Sequence, residues 1–211
     1  MQDSEFASGW RRRKILKCLK NKRTLELVCF IEARHRERFF RPIKELNSAS
    51  GNLQGYGFGS MAICCLLIET IQSYRDGLPT TDGRELSRLR NLKQTPSRYV
   101  LPANLKVRGQ KTFERFFHHY HSLFPGISAV SFYKNVRCGL LHQGQTKHRW
   151  TVRAFGSGVA DSARRIIHRN SFSDALESAF QRYLDELRTR SWKDATWVKA
   201  SRKIWWLIRT S

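Results

Sequence analysis

Hydrophobic residues recur at helical spacing through most of the chain. Residues 61–71 are apolar on nearly every side, which predicts a buried central helix over MAICCLLIETIQSY with Ser60 as its N-cap. Five aromatic residues at helical spacing in QKTFERFFHHYHSLF predict a second helix that faces the core. The segment SFSDALESAFQRYLDELR predicts an amphipathic helix from Ser171 onward. The chain is therefore predicted to be mainly α.

The segments between these helices predict further helices, breaks and one small β unit. Residues 24–40 and 128–141 are predicted to be helical, and Arg41-Pro42 is predicted to break the chain between elements. Residues 47–59 are rich in Gly, Ser and Asn and predict a connecting loop, and residues 76–110 predict a long loop with a short helix around RELSRLRNL. Alternation in RWTVRAF, the GSG turn and RRIIH together predict a two-stranded β-hairpin before the last core helix.

Charge is concentrated at both ends of the chain. Residues 1–24 contain RRRK and predict a basic mobile arm, residues 25–190 predict one helical domain, and residues 191–211 form a basic, Trp-rich segment. Three interpretations of the last segment stay open: a helix that docks on the core, a nucleic-acid platform, or an interfacial membrane helix.

The net charge of +22 over 211 residues indicates a polyanionic partner, nucleic acid first and an acidic membrane surface second. No apolar run approaches the ~20 residues that a membrane span requires, and no export signal is predicted. The five cysteines show no CxxC or zinc-ligand spacing, so they are predicted to be reduced thiols of a cytoplasmic protein. Glu114, His118 and His121 share a helix face, but no fourth ligand lies nearby, so metal binding is not favoured.

The candidate chemistry lies in residues 128–146, where Arg137 is followed five positions later by His142. An arginine and an imidazole together suit phosphodiester cleavage. With 26 arginines and 7 histidines, roughly one Arg-x4-His is expected by chance, so the surroundings of the pair must carry the argument.

The sequence FYKNVRCGLLHQGQT resembles the HEPN family (higher eukaryotes and prokaryotes nucleotide-binding), and so does the order of elements around it over about residues 40–188. The resemblance implies a bundle of four to five helices, a homodimer, and in many members a metal-independent endoribonuclease without cofactor. It implies that His142 serves as general base or acid while the ribose 2′-hydroxyl attacks its own phosphate, and that Arg137 stabilises the developing charge. A toxin or defence role, with an antitoxin or neighbouring protein as partner, is a further expectation.

Side chains five positions apart on a straight helix diverge by about 140°. A local unwinding or a π-type turn at Gly139, a helix end before His142, or a dimer that faces two motif helices would each bring the pair together. Cys138 stands where active members commonly have a polar residue, so a non-catalytic RNA-binding or interaction module stays the alternative. Glu69 is expected to form a salt bridge or to support the site. The residues expected to contact RNA are Lys134, Lys147, Arg149, Arg11, Arg12 and Arg13.

Overall fold

The computed structural model describes residues 4–48, 56–80, 83–90, 95–106 and 109–210, and the protein is mainly helical within them. Its strands are β1 (Glu5–Ala7), β2 (Trp10–Arg11), β3 (Thr151–Arg153), β4 (Ala160–Asp161) and β5 (Ile166–His168). Its α-helices are α1 (Arg12–Lys20), α2 (Thr24–His35), α3 (Arg41–Ser48), α4 (Tyr56–Asp76), α5 (Gly83–Arg90), α6 (Gly109–His119), α7 (Ala129–Ser131), α8 (Cys138–Gln143), α9 (Arg169–Thr189) and α10 (Ala195–Arg209). Two π-helical segments, Arg36–Phe40 and Phe132–Arg137, lie between α2 and α3 and between α7 and α8.

The chain divides into two compact units. Unit 1 comprises Met1–Arg36, Thr70–Arg108 and Arg182–Ser211, and unit 2 comprises Glu37–Glu69 and Gly109–Gln181. This division differs from the predicted single domain over residues 25–190, because both basic ends belong to unit 1.

The N-terminal part of unit 1 is folded. The sequence predicts a mobile arm here, whereas residues 4–24 form the antiparallel pair β1–β2, helix α1 and the start of α2. Phe6, Trp10 and Ile15 are buried, and the Trp10 ring lies 5.6 Å from the ring of Phe30. The prediction missed this because the apolar residues before Thr24 are few and lie beside the basic run RRRK, and they become core only when the folded chain brings them together.

The C-terminal helix α10 belongs to the core of unit 1. Trp197 and Trp206 are fully buried, and their indole N–H groups donate to the carbonyls of Leu187 and Tyr99, each over 2.9 Å. Of the three interpretations of this segment, the structure supports the docking helix, since both indoles are buried and their polar groups are paired. None of the described helices is long and apolar enough to cross a membrane.

Unit 2 is built around an aromatic cluster. The predicted stripe on α6 is buried as expected, and Phe113, Phe116 and Phe117 pack against the ring of Phe132 or against one another. Phe132 also stacks on Phe172 of α9, with ring centroids 5.3 Å apart and planes nearly parallel. The helix that carries Arg137 is thereby attached to the core through Phe132.

The β unit differs from the predicted hairpin. Its strand order is β3-β5-β4, with β3 parallel to β5 and β4 antiparallel to β5. Residues 154–165 separate β3 from β5, which is long enough for the crossover that a parallel pair needs. The two predicted strands therefore exist and pair with each other. They run parallel and not antiparallel as in a hairpin, and a third strand, β4, lies between them in sequence.

Two predicted helix boundaries also shift. Helix α4 begins at Tyr56, so Ser60 lies inside it, where its buried hydroxyl donates to Asn47 Oδ1 over 2.7 Å. Pro42 does not break the chain: it directly follows the π-helical segment Arg36–Phe40 and Arg41, and the helical backbone continues past it to Ser48. Part of the predicted loop over 47–59, namely residues 49–55, lies outside the described residues, as do 81–82, 91–94 and 107–108 of the predicted loop over 76–110.

Candidate functional site

The helix that carries the Arg-x4-His pair begins at Ser128, whose hydroxyl accepts the N–H of Ser131 over 3.4 Å. It continues through α7, the π-helical segment Phe132–Arg137 and α8. Gly144 ends it in the left-handed conformation at φ 68°, which favours glycine. The predicted helix over residues 128–141 is thus confirmed, with a π-helical segment that ends at Arg137, the first residue of the pair.

Gly139 serves packing and not unwinding. A Cβ at this position would collide with the backbone oxygen of Gln145 and lie only 3.0 Å from Thr146 Cα. Gly139 lies in the regular turn of α8, and the loop after the helix passes directly over it. The glycine is therefore required for this close approach of two backbones.

Arg137 forms an ion pair with Glu69, both within unit 2. Arg137 Nε donates to Glu69 Oε1 over 2.7 Å, and the two side chains are 18% and 9% exposed. The guanidinium also lies 5.6 Å from the ring of Tyr133. Burial alone would lower the pKa of Arg137, but the hydrogen bond and the charge of Glu69 raise it above its ordinary value. Of the two roles considered for Glu69, the salt bridge is present, and its partner is the site arginine.

His142 is exposed in the last turn of α8. Arg137 and Cys138 both have ordinary right-handed helical dihedrals, so the helix between Arg137 and His142 is regular. The two side chains consequently diverge by about 140° around the helix axis. Neither local unwinding nor an early helix end brings them together, so a single chain does not supply a converged Arg–His pair.

Cys138 is half-buried beside Tyr133. Burial raises the pKa of the Tyr133 hydroxyl, and the neighbouring Cys138 raises it further by its charge and by a hydrogen bond. The thiol therefore contacts a side chain of its own helix. All five cysteines are free thiols.

The three side chains predicted to share one helix face, those of Glu114, His118 and His121, are not on one helix, because α6 ends at His119 and His121 begins a separate 3-10 turn. The carboxylate of Glu114 accepts hydrogen bonds from Gln110 and Lys111, which lower its pKa, and His121 Nδ1 lies 3.3 Å from the carbonyl oxygen of His118. Within the described ranges, no group of three or more His, Cys, Asp or Glu residues could hold a metal ion.

The residues predicted to contact RNA fall in two places. Lys134 and Arg149 are exposed in unit 2, and Lys147 is half-buried there, with its N–H donating to the carbonyl of Asn135 over 2.8 Å. Arg11 and Arg13 are exposed in unit 1. Arg12 is half-buried there, and its guanidinium lies 5.9 Å from the ring of Phe6.

A pocket in unit 2 was missed by the sequence reasoning. Its cavity volume is about 360 Å³, and neither Arg137 nor His142 lines it. The signal in the sequence that could have identified this pocket is the tripeptide HRW at 148–150, in which an aromatic residue stands beside basic ones. The lining residues are Ser131, Asn135, His148, Trp150, Ser162 and Arg165.

Comparison of the chain with protein-family models, curated proteins and solved structures gives no match. The function is therefore argued from the residues of unit 2 and from the general chemistry of such side chains.

Proposed function

We propose that this protein binds RNA through the surface formed by residues 134–169, which we call the basic segment. It contains eight basic residues and one acidic residue, a net charge of +7. Its single carboxylate, Asp161, lies 3.6 Å from Arg164. A cluster of exposed cations with so few counter-charges favours a phosphate backbone as ligand. The exposed basic residues are Lys134, Arg149, Arg153, Arg164 and Arg165.

Two arguments favour RNA over other polyanions. The interpretation of the Trp-rich C-terminal segment as an interfacial membrane helix loses its support, because Trp197 and Trp206 of that segment are buried in unit 1. The HEPN resemblance implies a ribonucleic acid ligand, because the chemistry of that family uses the ribose 2′-hydroxyl. We infer a HEPN-like helical bundle as the scaffold of the basic segment.

A second candidate function is metal-independent RNA cleavage across a homodimer. The observation that favours it is the Glu69–Arg137 ion pair, which holds the guanidinium through Nε, while His142 on the same helix is exposed. Two facing copies would supply Arg137 from one chain and His142 from the other. His142 would transfer the proton of the 2′-hydroxyl, and Arg137 would stabilise the extra negative charge on the phosphate. An antitoxin or neighbouring protein would then restrain the activity.

Binding is tested with the full-length protein and a labelled single-stranded RNA by fluorescence anisotropy at several salt concentrations. If five cations contact phosphates, a plot of the logarithm of the association constant against the logarithm of the salt concentration should have a slope of roughly −3 to −4. Reversing two charges of the basic segment, Lys134→Glu with Arg153→Glu, should cost roughly tenfold or more in affinity.

The matched control reverses two exposed charges in unit 1, Lys17→Glu with Lys20→Glu, and it should have the smaller effect. Point substitutions replace a deletion here, because removal of residues 1–23 would take Phe6, Trp10 and Ile15 out of the core of unit 1. No binding at low salt, or an equal loss in the control, would contradict the proposal.

Cleavage is tested in EDTA with His142→Ala and Arg137→Lys, alone and mixed. Each variant alone should be inactive, whereas the mixture should regain part of the activity, because a mixed dimer keeps one intact Arg137–His142 pair. The products should end in cyclic phosphates, and an RNA with a 2′-deoxy group at the cleaved position should stay intact. If His142→Ala still cleaves RNA, the catalytic assignment is wrong; if the parent protein binds RNA without cleaving it, the module is non-catalytic.

A further inference from the structure

The pocket of unit 2 combines an aromatic side chain, two basic side chains and three small polar ones. Its cavity volume of about 360 Å³ is at the lower end of the range for small-ligand sites and suits one nucleotide. None of its lining residues is acidic, and His148 and Arg165 supply the basic groups. A ligand with an aromatic ring and a negative charge matches this lining.

Trp150 is positioned through its backbone and not through its side chain. Its N–H donates to the carbonyl of Lys147 over 3.1 Å, and its own carbonyl accepts the hydroxyl of Thr146. The half-buried indole forms no hydrogen bond to any other side chain that the structure describes. It therefore presents an aromatic surface in the pocket on which a base can stack.

Strained backbone is concentrated around this pocket. Among the described residues other than glycine, only four have a positive φ, and three of them are His148, Arg149 and Arg165, at 51°, 60° and 59°. Side chains with a Cβ rarely adopt this conformation, and where they do, a ligand site is often nearby. Hydrogen bonds hold the strained residues, since Arg165 Nη1 donates to the carbonyl of His148 and the N–H of Thr151 donates to the carbonyl of Arg165, each over 2.8 Å.

The polar groups of the pocket suit the two parts of a nucleotide. Because Nη1 of Arg165 is held by His148, the guanidinium is oriented, and its remaining N–H groups can meet a phosphate. Asn135 Nδ2 donates to Ser131 Oγ over 3.0 Å, which leaves Asn135 Oδ1 as an acceptor and the Ser131 hydroxyl as a donor. A base edge offers donors and acceptors that complement this pair.

We propose that the pocket binds one unpaired nucleotide of the RNA, with its base on Trp150, its base edge at Ser131 and Asn135, and its phosphate at Arg165 and His148. This inference rests on the proposed RNA binding and adds that the preferred RNA is single-stranded. A paired base is stacked within its duplex and does not reach such a pocket.

The experiment compares a labelled single-stranded 12-nucleotide RNA with its duplex, using the full-length protein and fluorescence anisotropy. Trp150→Ala should weaken binding of the single strand roughly tenfold or more, and Trp150→Phe, which keeps an aromatic ring, should recover most of the loss. Arg165→Ala should weaken binding of the single strand roughly tenfold. The adjacent Arg164→Ala, which removes an equal charge from a side chain 81% exposed outside the pocket, should weaken single strand and duplex alike by about two- to threefold.

Thermal unfolding is measured for each variant, so that a loss of affinity can be distinguished from a loss of folded protein. If the parent protein binds no RNA, both the proposed function and the pocket assignment are overturned. If the parent binds RNA but Arg165→Ala matches Arg164→Ala, or if Trp150→Ala weakens duplex and single strand equally, only the pocket assignment is overturned.

Discussion

The two units use their basic residues differently, and total charge does not locate the candidate site. Unit 1 contains 26 basic and 10 acidic residues, a net charge of +16, whereas unit 2 contains 13 basic and 7 acidic residues, a net charge of +6. The basic segment accounts for all of the net positive charge of unit 2, because the rest of unit 2 has a net charge of −1. The number of positive charges alone would have pointed to unit 1.

Many of the cations of unit 1 act as structural donors. Arg75 pairs with Glu186 over 2.7 Å, and Arg98 donates to the carbonyl of Trp192 over 2.7 Å and stacks on its ring at 4.2 Å. Lys203 is buried and donates to the carbonyl of Pro79 over 2.8 Å, and burial lowers its pKa to about 8. The basic segment of unit 2, in contrast, contains a single carboxylate, Asp161, which lies 3.6 Å from Arg164, and five of its eight basic residues are exposed.

The largest expected difference between the units concerns their tryptophans. Trp206→Ala in unit 1 should lower the free energy of unfolding by about 3–5 kcal/mol, because it removes a fully buried indole and its hydrogen bond to Tyr99. Trp150→Ala in unit 2 should lower it by only about 1 kcal/mol, because this indole is half-exposed. Denaturant unfolding measures both, and similar values for the two variants would contradict the contrast between a core residue and a site residue.

A smaller effect is expected at the Glu69–Arg137 ion pair. Arg137→Ala should lower the free energy of unfolding by about 2–4 kcal/mol, since it leaves a carboxylate that is 9% exposed without its partner. Arg164→Ala is the matched control, because it breaks an exposed pair with Asp161 and should change stability by less than about 0.5 kcal/mol.

In the double variant Glu69→Ala with Arg137→Ala, part of the loss should be recovered, because no unpaired charge remains. Equal costs for Arg137→Ala and Arg164→Ala would show that the ion pair adds no stability. The cost of Arg137→Ala is also the reason why Arg137→Lys, which keeps a charge beside Glu69, suits the cleavage assay better.

The smallest expected effect is a loss of stability of unit 1 at acid pH, and it is due to His35. Burial lowers the pKa of His35 from 6.5 to about 4, with further lowering by the charges of Arg34 and Lys203. The unfolded chain therefore binds more protons than the folded one between pH 6.5 and 4, so stability is lost as the pH falls through this range. Between pH 7 and pH 5 the loss due to His35 should be about 2 kcal/mol.

His35→Phe keeps a ring against Tyr74, which lies 5.3 Å away, and removes the titrating group. Denaturant unfolding at pH 7 and pH 5 should show a smaller loss in this variant than in the parent protein. Equal losses would mean that His35 is protonated in the folded state at pH 5.

Local sequence was sufficient for several of the helices, including the one that carries Arg137 and His142. The 3.6-residue period placed the aromatic stripe of α6 and the amphipathic face of α9, because a helix repeats its contacts within a few residues of itself. The same reasoning identified Arg137 and His142 on one helix and predicted that their side chains diverge. The basic character of the chain was likewise evident from composition.

Tertiary structure decided what distant residues do to one another. The partner of Arg137 is Glu69, 68 positions away, and no periodicity relates the two. Apolar residues at both ends of the chain are buried because distant residues cover them, and the indole N–H of Trp206 donates to the carbonyl of Tyr99, 107 positions away. The pocket is lined by residues from two helical turns, from a loop and from the chain around β4 and β5. It therefore exists only once the parallel pair β3–β5 has formed. The sequence by itself therefore determined most of the core helices and the charge, and long-range packing decided which of the cations form structural contacts and which stay exposed.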